Sequence, residues 1–152
     1  MKTGVRHRAR EAALQILYHW EIGRVPPAEA AASHRQIDQD GPPLTGPGRE
    51  FAESLALGTA AQAPTIDPLI EQHAEHWRLD RMAAIDRLIL RLAVYEFLYC
   101  PETPRTVVID EAVELARTYS ERDAVRFVNG VLDGIHRALA SGAAGPVPGA
   151  RV

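Results

Sequence analysis

Between residues 5 and 20, the apolar positions Val5, Ala9, Ala12, Ala13, Ile16, Leu17 and Trp20 return at the spacing of a 3.6-residue helix and share one side of it. Gly23, followed by Pro26 and Pro27, ends that helix. Pro27 suits the first turn of a second, alanine-rich helix reaching about Gln39, with a thin apolar face. Residues 40–48 hold three prolines and three glycines, which predicts a flexible surface loop. Helical spacing resumes over residues 49–61 with Phe51, Leu55 and Leu57. Pro64 and Pro68 then bracket the entry to a further helix carrying Leu69, Ile70, Ala74 and Trp77, with Asp67 as N-cap and Pro68 at its first position. Residues 83–99 are the most apolar, covering most of a helix circumference, so this helix lies centrally.

After Pro101 and Pro104, Val108, Ala112, Leu115, Ala116 and Tyr119 form the face of another helix. Ser120-Glu121-Arg122-Asp123 resembles a capping box, with Asp where Glu or Gln is usual. It opens a final helix to about Ala140 that buries Ala124, Phe127, Val128, Val131, Leu132, Ile135 and Leu139. Residues 141–152 read as a disordered tail. Alternating strand patterns are missing, which predicts an all-α chain of about seven helices, with residues 1–140 forming a single helical domain.

A chain of 152 residues is large enough for a core without cross-links. One cysteine, Cys100, excludes an internal disulfide framework and reads as a buried, inert thiol compatible with a reducing cytoplasm. No run approaches a membrane span, and Glu11 and Glu21 interrupt any resemblance to a transit peptide, so the expected location is cytoplasmic.

Charge changes the picture most. The protein has a net charge of −3, yet its first ten residues carry Lys2, Arg6, Arg8 and Arg10, plus His7, and no acid. Removing those four cations leaves about −7 for the remainder. A basic head on an acidic body predicts contact with a polyanion, above all nucleic acid. On a helical wheel Arg10, Leu14 and Tyr18 form one ridge flanked by His7 and Glu11, and this ridge opposes the apolar face. Guanidinium groups suit phosphates and a tyrosine ring can stack an unpaired base; equally, Leu14 and Tyr18 can contact another helix.

Signatures of catalysis are lacking. The glycine-proline run at residues 41–48 has no Lys-Ser/Thr pair and cannot cradle phosphate. His73 and His76, with Glu71 or Glu75, have the spacing of a zinc pair on a helix, but surface histidines explain them better. Neither a nucleophile constellation nor a cofactor or metal motif is present, so the chain reads as a binder rather than an enzyme. Asn129 and Gly130 are poor helix formers, and Gly130 shares a face with Gly134, which predicts a smooth groove for a crossing helix. Asn129 can bond a backbone or a base edge, and Glu96 reads as a structural carboxylate.

Several blocks together resemble the NusB family of RNA-binding antitermination factors. They are the head Arg6-His7-Arg8-Ala9-Arg10-Glu11-Ala12-Ala13-Leu14-Gln15-Ile16-Leu17-Tyr18 and the segment Ile89-Leu90-Arg91-Leu92-Ala93-Val94-Tyr95-Glu96. Further along come Pro104, Val107 and Ile109, then Glu111-Ala112-Val113-Glu114-Leu115-Ala116 and, most specifically, Phe127-Val128-Asn129-Gly130-Val131-Leu132. The resemblance implies two small helical subdomains and no enzymatic activity. It implies binding to single-stranded boxA RNA of ribosomal RNA leaders, jointly with the NusE-type small-subunit ribosomal protein, and an indirect link to the RNA polymerase elongation complex. It further implies RNA contacts at Lys2, Arg6, Arg8, Arg10, Tyr18 and Phe127, and partner contacts at Tyr18, Asp86 and Arg91. His7 stands where the family often has arginine, and its RNA contact depends on protonation. Competing readings are a helical homodimerisation module and a stand-alone relative of the RNA-binding domain of ribosomal RNA methyltransferases.

Overall fold

The computed structural model describes residues 4–37, 44–74 and 78–142. Lys2, residues 40–43 of the expected loop, Glu75, His76, Trp77 and the tail after Gly142 lie outside them. The described residues form α1 (Val5–Gly23), α2 (Pro27–Ile37), α3 (Gly46–His73), a 3-10 turn (Leu79–Arg81), α4 (Ala84–Tyr99), α5 (Arg105–Tyr119) and α6 (Arg122–Ser141). No strand occurs among them, and the all-α expectation holds with six α-helices. They belong to two compact units, Met1–Ala61 and Gln62–Val152, whose boundary falls inside α3.

The count drops from about seven because α3 is continuous where two helices were expected. Pro64 and Pro68 lie inside it, and Asp67 is a mid-helix residue rather than an N-cap. Each interior proline costs about 3 kcal/mol through a lost hydrogen bond and a ring clash. Both prolines are exposed, so they lie on the solvent side of α3 rather than in its packed face. On the other side Ile66, Leu69 and Ile70 are buried, each contributing about 1.5–3 kcal/mol, which offsets the loss. The helix also starts earlier than expected: residues 46–48, assigned to the loop from sequence, are its first turn, and Leu44 is buried.

In the first unit α1 packs on α2, whose thin face consists of buried Ala30, Ala31 and His34. Ala9 and Ala12 of α1 cluster with Leu44 and Ala52, and Phe51 packs against them half-buried. A Cβ at Gly48 would stand 2.9 Å from Val5 Cγ1 and 3.0 Å from Leu44 Cδ2, so the missing side chain permits close approach there. Gly23 does not end α1 alone: the helix includes it, and exposed Arg24 takes the left-handed C-cap conformation at φ 56°.

In the second unit α4, α5 and α6 pack on one another. From Leu88 to Val94 every residue of α4 is buried, so this helix is covered all round, as its sequence predicts. Val108, Ala112, Leu115 and Ala116 of α5 and Val128, Val131, Leu132 and Ile135 of α6 complete the core. The expected capping box does not form. Glu121 is the N-cap of α6 without a side-chain hydrogen bond, and the Ser120 hydroxyl donates to the Asp86 carboxylate instead. Gly142 ends α6 at φ 79°, where glycine meets no Cβ penalty.

Candidate nucleic-acid interface

Arg6, His7, Arg8 and Arg10 of the basic head occupy the first two turns of α1. Gly4, its N-cap, supplies no side-chain acceptor, and the first turn contains no acid. Unbonded N–H groups give a helix start about half a positive charge, so each cation placed there costs roughly 0.3–1 kcal/mol unless an anion answers it. Arg6 is exposed, and His7 and Arg8 are half-buried. His7 Nε2 lies 3.6 Å from Glu11 Oε2, one turn further on.

The ridge reading requires correction. Arg10 is 4% exposed and Leu14 is fully buried, leaving only Tyr18 at the surface, 44% exposed. The wheel placed this ridge opposite the apolar stripe, but α1 is covered on more than one side, so that side is inside as well. Arg10 and Arg6 both lie over the ring of Phe51, with their guanidinium carbons 5.6 and 4.2 Å from its centroid. Sequence reasoning placed Phe51 in a helix without linking it to the arginines, because the partners are too far apart in the chain for any periodicity to connect them.

In the second unit, Asp86 and Phe127 line the same cavity, of about 630 Å³, between the start of α4 and the junction of α5 and α6. Met82, Ile85, Tyr119 and Ala124 provide its apolar wall, and Arg81, Ser120, Glu121 and Asp123 its polar rim. Three carboxylates against one arginine repel phosphate but accept hydrogen bonds from amino groups, while the Phe127 ring offers a stacking surface. Glu121 and Asp123 were not singled out as site residues by sequence. Their one signal was the Ser120-to-Asp123 motif, which reads as a cap.

Arg91 does not offer a surface. It is 8% exposed and donates from Nε to Asp67 Oδ1 at 2.8 Å and from Nη2 to Oδ2 at 3.0 Å. A guanidinium committed this way holds α4 to the second half of α3. The expected helix-crossing groove at Gly130 and Gly134 exists only in part. A Cβ at Gly134 would lie 3.2 Å from the His73 ring, whereas one at Gly130 meets nothing within 4 Å. Gly130 and Asn129 are exposed. His73 Nδ1 donates to the Leu69 carbonyl at 3.0 Å. Among the described residues no group of three or more histidine, cysteine or acidic side chains is placed to hold a metal, and no helix is long and apolar enough to cross a membrane.

Residues 7–137 match the model of the NusB family. The transcription antitermination protein NusB of Koribacter versatilis (strain Ellin345) is 43% identical over 139 residues, covering 91% of this chain and 93% of the relative. NusB of T. maritima superposes with a TM-score of 0.77 at 34% identity, covering 90% of this chain and 93% of that one. A chain from the crystal structure of the antitermination factors NusB and NusE in complex with dsRNA superposes with a TM-score of 0.79 at 28% identity, covering 88% and 97%. With a family model spanning most of its length, the chain belongs to the NusB family.

Proposed function

We propose that this protein is a non-enzymatic, cytoplasmic transcription antitermination factor that binds boxA-type RNA together with a NusE-type ribosomal protein. The observation that carries the reading is the acid-free start of α1, where Arg6 and Arg8 add positive charge to a helix end that is already positive and whose glycine N-cap brings no side-chain acceptor. Phosphate oxygens satisfy both the side chains and the exposed amides. Lys2 extends this set along the chain. Tyr18, exposed on the same helix, and Phe127, in the second unit, supply rings for bases. Asp86, on the acidic side of the cavity, and Tyr18 meet the protein partner. Arg10 and Arg91 support the site from within.

Joining two modest interfaces stabilises the ternary complex more than either alone, which holds the transcript near the elongation machinery. The test is a titration of labelled boxA RNA, single-stranded and duplex, with and without the NusE-type partner. With Arg10 inside, the three cations Lys2, Arg6 and Arg8 predict a logarithmic salt slope of about −2 for a single strand. Arg6→Ala with Arg8→Ala should make the slope shallower by roughly 1.4. Salt-insensitive binding, or a partner that leaves RNA affinity unchanged, would overturn the reading.

A further inference from the structure

Phe51 lies on the second turn of α3, half-buried against Ala9, Ala12, Leu44 and Ala52. Arg6 and Arg10, one turn apart on α1, place their guanidinium carbons 4.2 and 5.6 Å from its ring centroid. Only one of the two reaches solvent: Arg6 is exposed and Arg10 is buried. A guanidinium resting on a ring uses its face, through the negative ring quadrupole, and keeps its N–H edge for in-plane acceptors. A carboxylate in the same place would occupy that edge. The ring therefore holds the cation without consuming its donors.

We propose that Phe51 is a positioning residue of the RNA surface. Its ring fixes Arg6 at the surface with the N–H edge available to phosphate oxygens, while Arg10 stays beneath as part of the support. Phe51 itself does not touch RNA. Ordering a long side chain before binding removes part of the entropy otherwise lost on binding, so the benefit appears as affinity. This assignment rests on the RNA-binding reading above.

The experiment compares the full-length chain with Phe51→Leu, Phe51→Tyr, Arg6→Ala and the Phe51→Leu/Arg6→Ala double variant. Affinity for a boxA oligonucleotide is measured across a salt series, alongside thermal melting and the NMR shifts of the Arg6 side chain. Leucine keeps apolar bulk and removes the quadrupole, whereas tyrosine keeps the ring. Phe51→Leu should weaken RNA binding about two- to fivefold, and Phe51→Tyr should restore it. In the Arg6→Ala background, Phe51→Leu should cost nothing further. The upfield ring-current shift of the Arg6 side chain should vanish in Phe51→Leu and persist in Phe51→Tyr.

Equal losses from leucine and tyrosine, or a full additional loss in the Arg6→Ala background, would show that Phe51 acts by packing alone and overturn the proposal. If the wild-type chain shows the ring-current shift but binds no RNA, the RNA reading falls and takes the positioning role with it. If RNA binding is intact but the shift is missing, the positioning role alone falls.

Discussion

Arg91 grips Asp67 through two parallel hydrogen bonds, although Asp67 sits in a turn of α3 that two prolines deprive of backbone bonds. Breaking such a pair from one side leaves an uncompensated charge, at a typical cost of about 3–5 kcal/mol when both partners are buried. The Asp67 side chain retains 26% exposure, so the loss belongs at the lower end, about 3 kcal/mol. Urea unfolding of Arg91→Ala and Asp67→Asn should show this loss in each single variant and much less than the sum in the double variant. Losses below about 0.5 kcal/mol would mean the prolines are tolerated for another reason.

His34 of α2 is held between Gln15 of α1 and Arg49 of α3, at 2.7 Å from Oε1 and 3.1 Å from Nη1. A guanidinium only donates, so Nδ1 of His34 accepts and the proton resides on Nε2, which donates to Gln15. Nitrogen-15 NMR at neutral pH should find the Nε2–H tautomer. An Nδ1–H tautomer would contradict this three-helix link. His34→Ala should destabilise by roughly 1–3 kcal/mol, from two hydrogen bonds and the partners left behind.

Gly130 occupies an exposed mid-helix position where an added Cβ meets no neighbour within 4 Å. Gly130→Ala should therefore stabilise the chain by about 0.5–1 kcal/mol, the ordinary helix-propensity difference. A higher urea midpoint at unchanged slope is the expected reading. If the substitution destabilises, the groove interpretation of this glycine returns.

Tyr95 stacks on Tyr99, with ring centroids 5.0 Å apart. Burial, and then the neighbouring Cys100 and Tyr99, push its phenol above the ordinary value of 10.0. The fold thus favours the neutral phenol. Its contribution is fully present below the unfolded-chain value near 10 and is lost as pH rises through the higher folded value. Stability measured from pH 8 to 11 should fall at the alkaline end, and Tyr95→Phe should flatten that fall. Parallel curves for the two proteins would rule out Tyr95 as the cause.

Legibility followed how local each cause was. The central position of α4 was readable because Leu88, Ile89, Leu90, Leu92 and Val94 leave hardly any polar side. The length of α3 was not, because Pro64 and Pro68 are the strongest local stop signals, and what outweighs them is tertiary: buried Ile66 and Ile70, and an arginine 24 residues away. Ser120 illustrates the same limit. Its spacing to Asp123 fits a cap, but a carboxylate 34 residues earlier in the chain takes its hydroxyl. For the candidate site, the basic head stands out in the sequence by its charge, whereas Asp86 and Phe127 entered through the family resemblance alone, and no periodicity shows that they line one cavity. The burial of Arg10 and Leu14 was hidden because a wheel shows one stripe and not how many sides are covered.

The glycine cap of α1 also bears on how readily the first turn of this helix opens. The first inter-turn bond there, among the described residues, runs from the Arg8 amide to the Gly4 carbonyl, and Gly4 as N-cap has no side chain to offer the amides ahead of it. With few bonds to break, this turn belongs to the low end of the local unfolding scale, and its amides exchange with solvent long before those of α4. A bound phosphate supplies the acceptors a capping side chain would have provided, so protection of these amides rises when RNA binds. Order in the first turn thus becomes a direct gauge of occupancy.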